Sequence, residues 1–353
     1  MLKEGESMHL EERQKRILAA VVQEYVLTGE PVGSRTIARR YNLGVSPATI
    51  RNEMADLEEM GFLEQPHTSA GRIPSDYGYR YYVDHLMEPQ GLSPEEQEHI
   101  RRRFQQRVLA IEQLLEETAR LLSEITPYTA MALEPNPSRA KIEEVQIMPL
   151  AVPHRALLVV VTEGGMVEHR VLTLPPSIYE EDLEKISEAL NSVLKGCSLD
   201  DLKELKAQVL KEMAKTGEYK DLLGEVGLLL HHLLFLVGNE KVYLEGVFNI
   251  LEQPEFRDLS RLKELLAFLD QEEALRRLLK APPRRGLTIR IGQENREEGI
   301  DRCSVITISY GVEGKIYGKV GLLGPTRMHY ARVISVLQYV AQSLSQVLAQ
   351  FYG

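Results

Sequence analysis

The chain has 353 residues, a formal net charge of −10 and two cysteines. At about 100–200 residues per domain, this length predicts two or three domains with sizeable cores. Cys197 and Cys303 lack the spacing of metal ligands, which argues against a structural zinc and fits a reducing cytosol. The sequence has no visible signal peptide and no apolar run near the roughly 20 residues that span a bilayer, so we expect a cytoplasmic protein without membrane contact.

The first two predicted elements are helices separated by a short break. An apolar stripe predicts a helix over about residues 10–27, which ends at a Thr-Gly-Glu-Pro run. A second helix is predicted over about residues 35–42, with Ser34 as its N-cap. Gly44 suits the sharp turn that follows.

A third helix is predicted from a Ser-Pro pair. Ser46 is a strong N-cap, and Pro47 stands at the first helical position, where a missing N–H costs nothing. Ile50, Met54 and Leu57 recur at helical spacing and predict the buried stripe. Two short helices at a tight turn predict a helix-turn-helix, which binds double-stranded DNA.

The opposite face of the third helix carries small and hydrogen-bonding side chains. Asparagine can pair with adenine, arginine with guanine, and a small apolar group can contact the thymine methyl. We therefore assign base reading to four residues at the start of this helix, namely Ala48, Thr49, Arg51 and Asn52.

Charge gives a second argument for DNA. Residues 31–52 contain four arginines and no acid, whereas the remainder of the chain carries −14. A solvated helix face is the competing interpretation, but capping, turn and charge agree on DNA binding. Contacts to phosphates are assigned to six residues: Ser34, Arg35, Arg39, Arg40, Ser46 and Arg72.

The stretch after Gly61 predicts a β-hairpin wing. A first strand begins at about residue 62, a turn occupies 68–71, and the return strand begins at 72–74. Arg72 is expected at the loop tip, where it could reach a phosphate or the minor groove. Four tyrosines at 77–82 could touch nucleic acid, but packing on the wing is favoured because aromatic rings mainly supply buried area.

The rest of the chain alternates between helical and β-rich segments. A helix is predicted over about 94–125, long enough to connect the DNA-binding part to the remainder. The later elements are β-rich runs at 145–150, 156–161 and 167–174, a helical block over about 179–237, strands at 287–291, 303–310 and 315–322, and a helix over about 328–351. This order is typical of an α+β, multidomain chain with a helical insert.

No catalytic or phosphate-binding motif is present, whether GxxxxGK[ST], GxGxxG, GxSxG or HExxH. His231 and His232 lie in an apolar helical run, where packed histidines are commoner than metal ligands. We therefore predict no enzyme activity, no cofactor and no metal.

The run VSPATIRNEMADLEEMGFLEQPHTSAGRIPSDYGYRYYVD resembles the heat-inducible transcription repressor family of bacteria, HrcA. The resemblance extends to the C-terminal KVGLLGPTRMHYARVISVLQYV, and the wing motif PHTSAGRIP is more specific than a generic helix-turn-helix. It implies a homodimeric repressor of chaperone operons. Such a repressor binds an inverted-repeat operator, the CIRCE element, and needs the GroE chaperonin to stay active.

The resemblance also implies a domain arrangement. We expect a winged helix-turn-helix domain over 1–90, a GAF-like α/β domain over 91–174 and 246–353, and a mainly helical inserted dimerisation domain over 175–245. Two alternatives remain open. One is a metabolite-sensing regulator with the GAF-like domain as ligand receptor, and the other is an enzyme with an accessory DNA-binding domain.

Overall fold

The computed structural model describes residues 10–105, 111–134, 141–162, 167–174, 176, 178–198, 240–280, 286–312 and 315–352. The predicted block over 179–237 falls mostly outside these residues, as do His231 and His232. Within the described part, no helix is long and apolar enough to cross a membrane.

The N-terminal part consists of three helices, a two-stranded hairpin and a short fourth helix. Its elements are α1 (Glu12–Thr28), α2 (Ser34–Arg40), α3 (Pro47–Glu59), β1 (Leu63–Glu64), β2 (Ile73–Pro74) and α4 (Asp76–Tyr81). The predicted stripe of α3 is buried, since Ile50, Met54 and Leu57 are at most 4% exposed. β1 and β2 pair antiparallel, so the strands predicted after Gly61 are present.

The predicted cap of α2 is wrong by one residue. Gly33 is the N-cap, with extended backbone, and its carbonyl accepts the amides of Thr36 and Ile37. Ser34 is already the first helical residue, and in the described part of the chain α2 has no side-chain cap hydrogen bond at its N-cap. A residue that has helical dihedral angles cannot also occupy the half-in cap position, whose backbone is extended.

The single helix predicted over 94–125 is two helices, α5 (Pro94–Phe104) and α6 (Ile111–Ile125). The guanidinium of Arg103 lies 2.7 Å from the carboxylate of Glu124. At 1.5 Å per residue, a continuous helix would separate these residues by about 31 Å, so the chain reverses between the two helices. Their apolar faces bury Ile100 and Leu115 in one shared core.

A five-stranded antiparallel sheet forms the centre of the C-terminal part. Its order is β7-β3-β10-β9-β8, with β3 (Thr129–Leu133), β7 (Val242–Glu245), β8 (Leu287–Ile291), β9 (Cys303–Val312) and β10 (Lys315–Pro325). α6 and the closing helix α10 (Tyr330–Tyr352) cover one face, and α8 (Leu259–Leu269) and α9 (Glu272–Lys280) cover the other. β3 is buried on both faces.

A second sheet of three antiparallel strands packs separately. It comprises β4 (Ile142–Pro149), β5 (Arg155–Thr162) and β6 (Val167–Thr173), and α7 (Glu180–Leu194) covers its apolar face. The amide of Asn191 joins α7 to β4 by bonding both the N–H and the carbonyl of Val145, at 2.8 and 2.7 Å.

This arrangement differs from the expected boundary at residue 174. The sequence predicts that the β-rich runs at 145–150, 156–161 and 167–174 belong to the same domain as the late strands. They form their own core with α7 instead. Both edges of β3 are already paired, with β7 and β10, so the earlier strands find no free edge beside β3 in the larger sheet.

Candidate DNA-binding surface

The N-terminus of α3 is built as the sequence predicts. Ser46 is the N-cap, and its Oγ accepts the amide of Thr49 at 3.1 Å, with Pro47 at the first position. Ser46 Oγ also lies 3.0 Å from Thr49 Oγ1. The hydroxyls of Ser46 and Thr49 are therefore already hydrogen-bonded to each other, and Thr49 is half-buried.

The remaining residues assigned to base reading face solvent. Ala48, Arg51 and Asn52 are all exposed on α3. Among the described residues, no ion pair or side-chain hydrogen bond occupies Arg51 or Asn52. A guanidinium and an amide are thus presented on one helix face beside a small methyl group, which is the donor and acceptor set that major-groove edges match.

Two exposed arginines lie on α2, the helix that packs against α3. Arg35 and Arg39 are exposed, and within the described part of the chain neither forms an ion pair. Arg16 of α1 adds a third cation, which the sequence analysis missed. Its guanidinium donates to the carbonyl of Asn42 at 3.2 Å, which places it beside the turn between α2 and α3. Its distance in sequence from the basic window explains the omission.

Arg40 has a structural partner. Its Nη1 lies 2.7 Å from Oε1 of Glu24, whose side chain is 4% exposed, while Arg40 itself is 58% exposed. Tyr41 also donates its hydroxyl to Glu24, at 3.4 Å. Arg40 therefore neutralises a buried carboxylate on α1. This contact gives Arg40 a structural role in packing α2 against α1, although its side chain remains largely exposed.

Arg72 is not at the tip of the hairpin, contrary to the prediction. Its backbone pairs with Val32 through two hydrogen bonds of 2.9 Å, and its guanidinium lies 2.7 Å from Glu58 of α3. The side chain is only 20% exposed. The exposed tip is formed by residues 66–69 instead, where Gln65 bonds the carbonyls of Thr68 and Ala70. The turn closes from His67 to Ala70, so Gly71 and Arg72 come after it and not at its tip.

The tyrosines after the hairpin pack on neighbouring rings, as the favoured interpretation predicts, although Tyr77 keeps 45% of its surface exposed. Phe62 stacks on Tyr77 at 4.7 Å between ring centroids and meets Tyr81 edge-on at 5.2 Å. Tyr79 is fully buried, and this burial raises the pKa of its hydroxyl well above the ordinary value. Tyr77 and Tyr81 therefore fix α4 to the hairpin through Phe62.

In the residues that the structure describes, no group of three or more His, Cys, Asp or Glu side chains could hold a metal ion. The surface on α2 and α3 consists of cations, amides and small side chains. Such a surface can bind a polyanion, and nothing in its arrangement brings a nucleophile beside a base.

Comparison with known proteins identifies the family. The family model described as HrcA protein C terminal domain matches residues 112–334. A protein of Moorella thermoacetica named heat-inducible transcription repressor HrcA is 62% identical over 346 residues, which cover 98% of this chain and 100% of that protein. A protein of the same name from Desulforamulus reducens is 47% identical over 343 residues, 97% of this chain and 98% of that one.

A solved structure supports the same overall fold. A crystal structure described as a hypothetical protein at 2.2 Å resolution matches with a TM-score of 0.63 and 26% identity, and the match covers 97% of this chain and 100% of that chain. The full-length identity to named relatives, together with the matching family model, shows that this chain belongs to the HrcA family of heat-inducible transcription repressors.

Proposed function

We propose that this protein represses transcription by binding double-stranded DNA through α3, with α1, α2, α3 and the hairpin acting as a winged helix-turn-helix. The observation that carries the proposal is the capped N-terminus of α3, where Arg51 and Asn52 are exposed with no intramolecular partner among the described residues. Recognition helices contact base edges with their N-terminal residues, so these two side chains are suitably placed.

The roles of the individual residues are refined by their surroundings. Ala48, Arg51 and Asn52 read bases, and the hydroxyl of Thr49 is left mainly to hold the cap with Ser46. Phosphates are bound by Arg35 and Arg39. The other residues assigned to phosphates have structural contacts or partial burial, namely Ser34, Arg40, Ser46 and Arg72.

A binding assay tests this division. Arg51→Ala should weaken binding to the operator by about 1–3 kcal/mol and relax sequence choice, because one base contact is lost. Arg39→Ala should weaken cognate and scrambled duplexes equally. Arg277→Ala is the matched control, since this exposed arginine pairs with Glu273 within α9, away from α2, α3 and the three-stranded sheet. Equal loss on both duplexes for Arg51→Ala would show that the residue does not read bases.

The proposed operator is an inverted repeat of the CIRCE type, bound by a homodimer. Family membership supports this, because a twofold-symmetric site matches two recognition helices about one DNA turn apart or a multiple of it. The segment around β4–β6 and α7 would serve as the inserted dimerisation domain, with the five-stranded sheet as the GAF-like domain. Light scattering and footprinting check both points, and a monomer that protects an asymmetric site contradicts them.

We also propose that the GroE chaperonin maintains the active form. Family resemblance is the support for this step, since a marginally stable repressor would be released when heat occupies the chaperonin. Operator occupancy during a temperature ramp, with and without chaperonin, tests it. Binding that is indifferent to chaperonin throughout the ramp contradicts the proposal.

A second candidate function is metabolite sensing, and one observation favours it. A cleft of about 660 Å³ lies between the N-terminal part and the C-terminal part, with Tyr25, Asp76 and Phe256 among its lining residues. A ligand there would contact both parts at once. A metabolite screen by thermal shift, followed by DNA release at the same concentration, would favour this function over chaperonin control.

A further inference from the structure

The short helix α4 attaches the N-terminal part to the five-stranded sheet. Arg80 donates from Nε and Nη2 to the two oxygens of Glu294, at 2.8 and 2.5 Å, and Nη2 also donates to the carbonyl of Ile289 at 2.8 Å. A bidentate guanidinium–carboxylate pair fixes direction as well as distance. Glu294 is itself held, because its Oε2 accepts the amide of Ile291 at 2.9 Å.

A second contact lies one turn earlier on the same face of α4. Asp76 Oδ2 accepts the amide of Gln293 at 2.9 Å. Its carboxylate occupies the space above Gly292, where an added Cβ would lie 1.8 Å from Oδ2. Residues four apart share a helix face, so Asp76 and Arg80 both contact the same turn, residues 292–294, which follows β8 of the five-stranded sheet. We call Asp76, Arg80, Gly292, Gln293 and Glu294 the α4 latch.

The helix that carries the latch is fixed to the hairpin and to α3. Ser75 Oγ donates to the carbonyl of Gly61 at 2.6 Å, and the Ser75 amide donates to that of Phe62 at 3.1 Å. A Cβ at Gly78 would lie 2.0 Å from the Phe62 carbonyl oxygen, so the two backbones are in direct contact. Phe62 in turn donates its amide to Leu57 of α3 at 2.9 Å. The orientation of α4 therefore determines that of α3.

A second attachment restricts rotation about the latch. Arg327, just before α10, donates Nη1 to the carbonyl of Val26 near the end of α1, at 3.0 Å, and Nε to Glu255 at 2.6 Å. Between the two attachments Tyr79 and Tyr330 pack with ring centroids 5.9 Å apart. The ring contact is apolar and non-directional, so it holds the N-terminal and C-terminal parts together without fixing the angle between them. The charged hydrogen bonds are directional and select one orientation.

We propose that the α4 latch is a positioning device, which sets the angle of α3 to the sheet domain and thereby the half-site spacing that a dimer accepts. This inference rests on the proposed DNA-binding function. Each added base pair rotates one half-site by about 35° and moves it by about 3.4 Å relative to the other. A rigidly held pair of α3 helices tolerates only one such arrangement, whereas a pair on loosened attachments tolerates several.

The test is a double-mutant cycle on operators whose spacer is native, shortened or lengthened by one or two base pairs. Wild type should lose about tenfold or more in affinity on the altered spacers, while Arg80→Ala and Glu294→Ala lose less than about threefold. The double variant should lose little beyond either single, because the Arg80–Glu294 pair is already broken in both singles. Arg102→Ala is the control, since its pair with Glu98 lies within α5.

A half-site duplex separates positioning from folding. Affinity for one half-site should stay within about twofold of wild type in every latch variant, because α3 itself is unchanged. A merely structural role would lower half-site and full-site affinity together. Hydrogen exchange at the Gln293 amide gives a readout without DNA, and Asp76→Ala should accelerate it by about tenfold or more, since its acceptor is lost.

Glycine substitutions test the latch from the side of the five-stranded sheet instead of from α4. Gly292→Ala places a methyl against Asp76, and Gly286→Ala is its matched control, because that glycine also has positive φ but nothing lies within 4 Å of the added Cβ. Gly292→Ala alone should relax spacer choice.

Several outcomes overturn the inference. Wild-type spacer discrimination in Arg80→Ala and Gly292→Ala would overturn it, as would equal loss on half-sites and full sites. Failure of wild type to bind any inverted repeat overturns the proposed function as well. The two failures are therefore distinguishable.

Discussion

Arg40→Ala should destabilise the protein, whereas the neighbouring Arg39→Ala should not. The two arginines are adjacent in sequence and both are exposed, but among the residues that the structure describes a buried partner is found only for Arg40. Removing its guanidinium leaves the carboxylate of Glu24 on α1 without this cation, and the contact that remains within the described part of the chain is the hydroxyl of Tyr41 at 3.4 Å. Comparing the two variants therefore separates the effect of breaking the ion pair from the effect of removing one surface charge.

The expected magnitude follows from the burial of the two partners. Breaking a fully buried pair costs about 3–5 kcal/mol, and an exposed pair contributes about 0.2–1 kcal/mol. Here Glu24 is 4% exposed and Arg40 is 58% exposed, so water can partly replace the lost guanidinium. We expect a loss of about 1–2 kcal/mol for Arg40→Ala, and less than about 0.5 kcal/mol for Arg39→Ala.

Urea unfolding, monitored by circular dichroism, measures the difference in free energy of unfolding between the two variants. The variants can be compared if their m-values are unchanged. Adding Glu24→Gln to Arg40→Ala should recover most of the loss, because the neutral amide removes the unpaired charge. On DNA, Arg39→Ala should reduce the salt slope by about 1, and Arg40→Ala should not. Equal stability of the two variants, with equal loss of salt slope, would refute the reasoning and restore Arg40 as a phosphate contact.

Three further predictions concern packing, pH and thiol reactivity. Gly78→Ala should cost about 1–3 kcal/mol in urea unfolding, because the added Cβ meets a backbone oxygen at 2.0 Å, whereas Gly91→Ala, with open space around it, should be nearly neutral. Burial lowers the pKa of the His329 imidazole below its ordinary value of 6.5, so the unfolded chain takes up a proton first as the pH falls. Wild type should therefore lose stability relative to His329→Gln between about pH 7.5 and 5.5. A parallel pH dependence of the two proteins would contradict this. Burial raises the pKa of Cys303 to about 12, so a thiol reagent should label Cys197 in the native protein and Cys303 only after unfolding; rapid native labelling of both would contradict this burial.

Local chemistry was enough to predict the core of the candidate surface. Ser46 and Pro47 start α3 where the capping rules place the start, and the stripe of Ile50, Met54 and Leu57 is buried. The hairpin and the late strands also lie close to their predicted positions. In each case the signal lies within a few residues, as a cap, a turn glycine or a periodic apolar pattern.

The cap of α2 was misplaced by one residue, but most of the other misses depend on residues that are distant in sequence. Arg40 and Arg72 looked like free cations because their partners, Glu24 and Glu58, lie on other elements. β3 was missed since its sequence TAMAL has neither alternation nor β-branched residues except Thr129, and its strand state comes from pairing with β7 and β10.

The family, the position of the third helix and the basic window of residues 31–52 could be predicted from the amino-acid pattern, because they depend on short-range pattern and composition. Three properties depend on long-range contacts instead: which arginines remain available to a ligand, where the strands divide into two sheets, and how α4 holds α3 to the five-stranded sheet. Those properties are set by pairings between groups as far apart as Arg80 and Glu294, and no local pattern encodes which partner a charge will find when the chain folds.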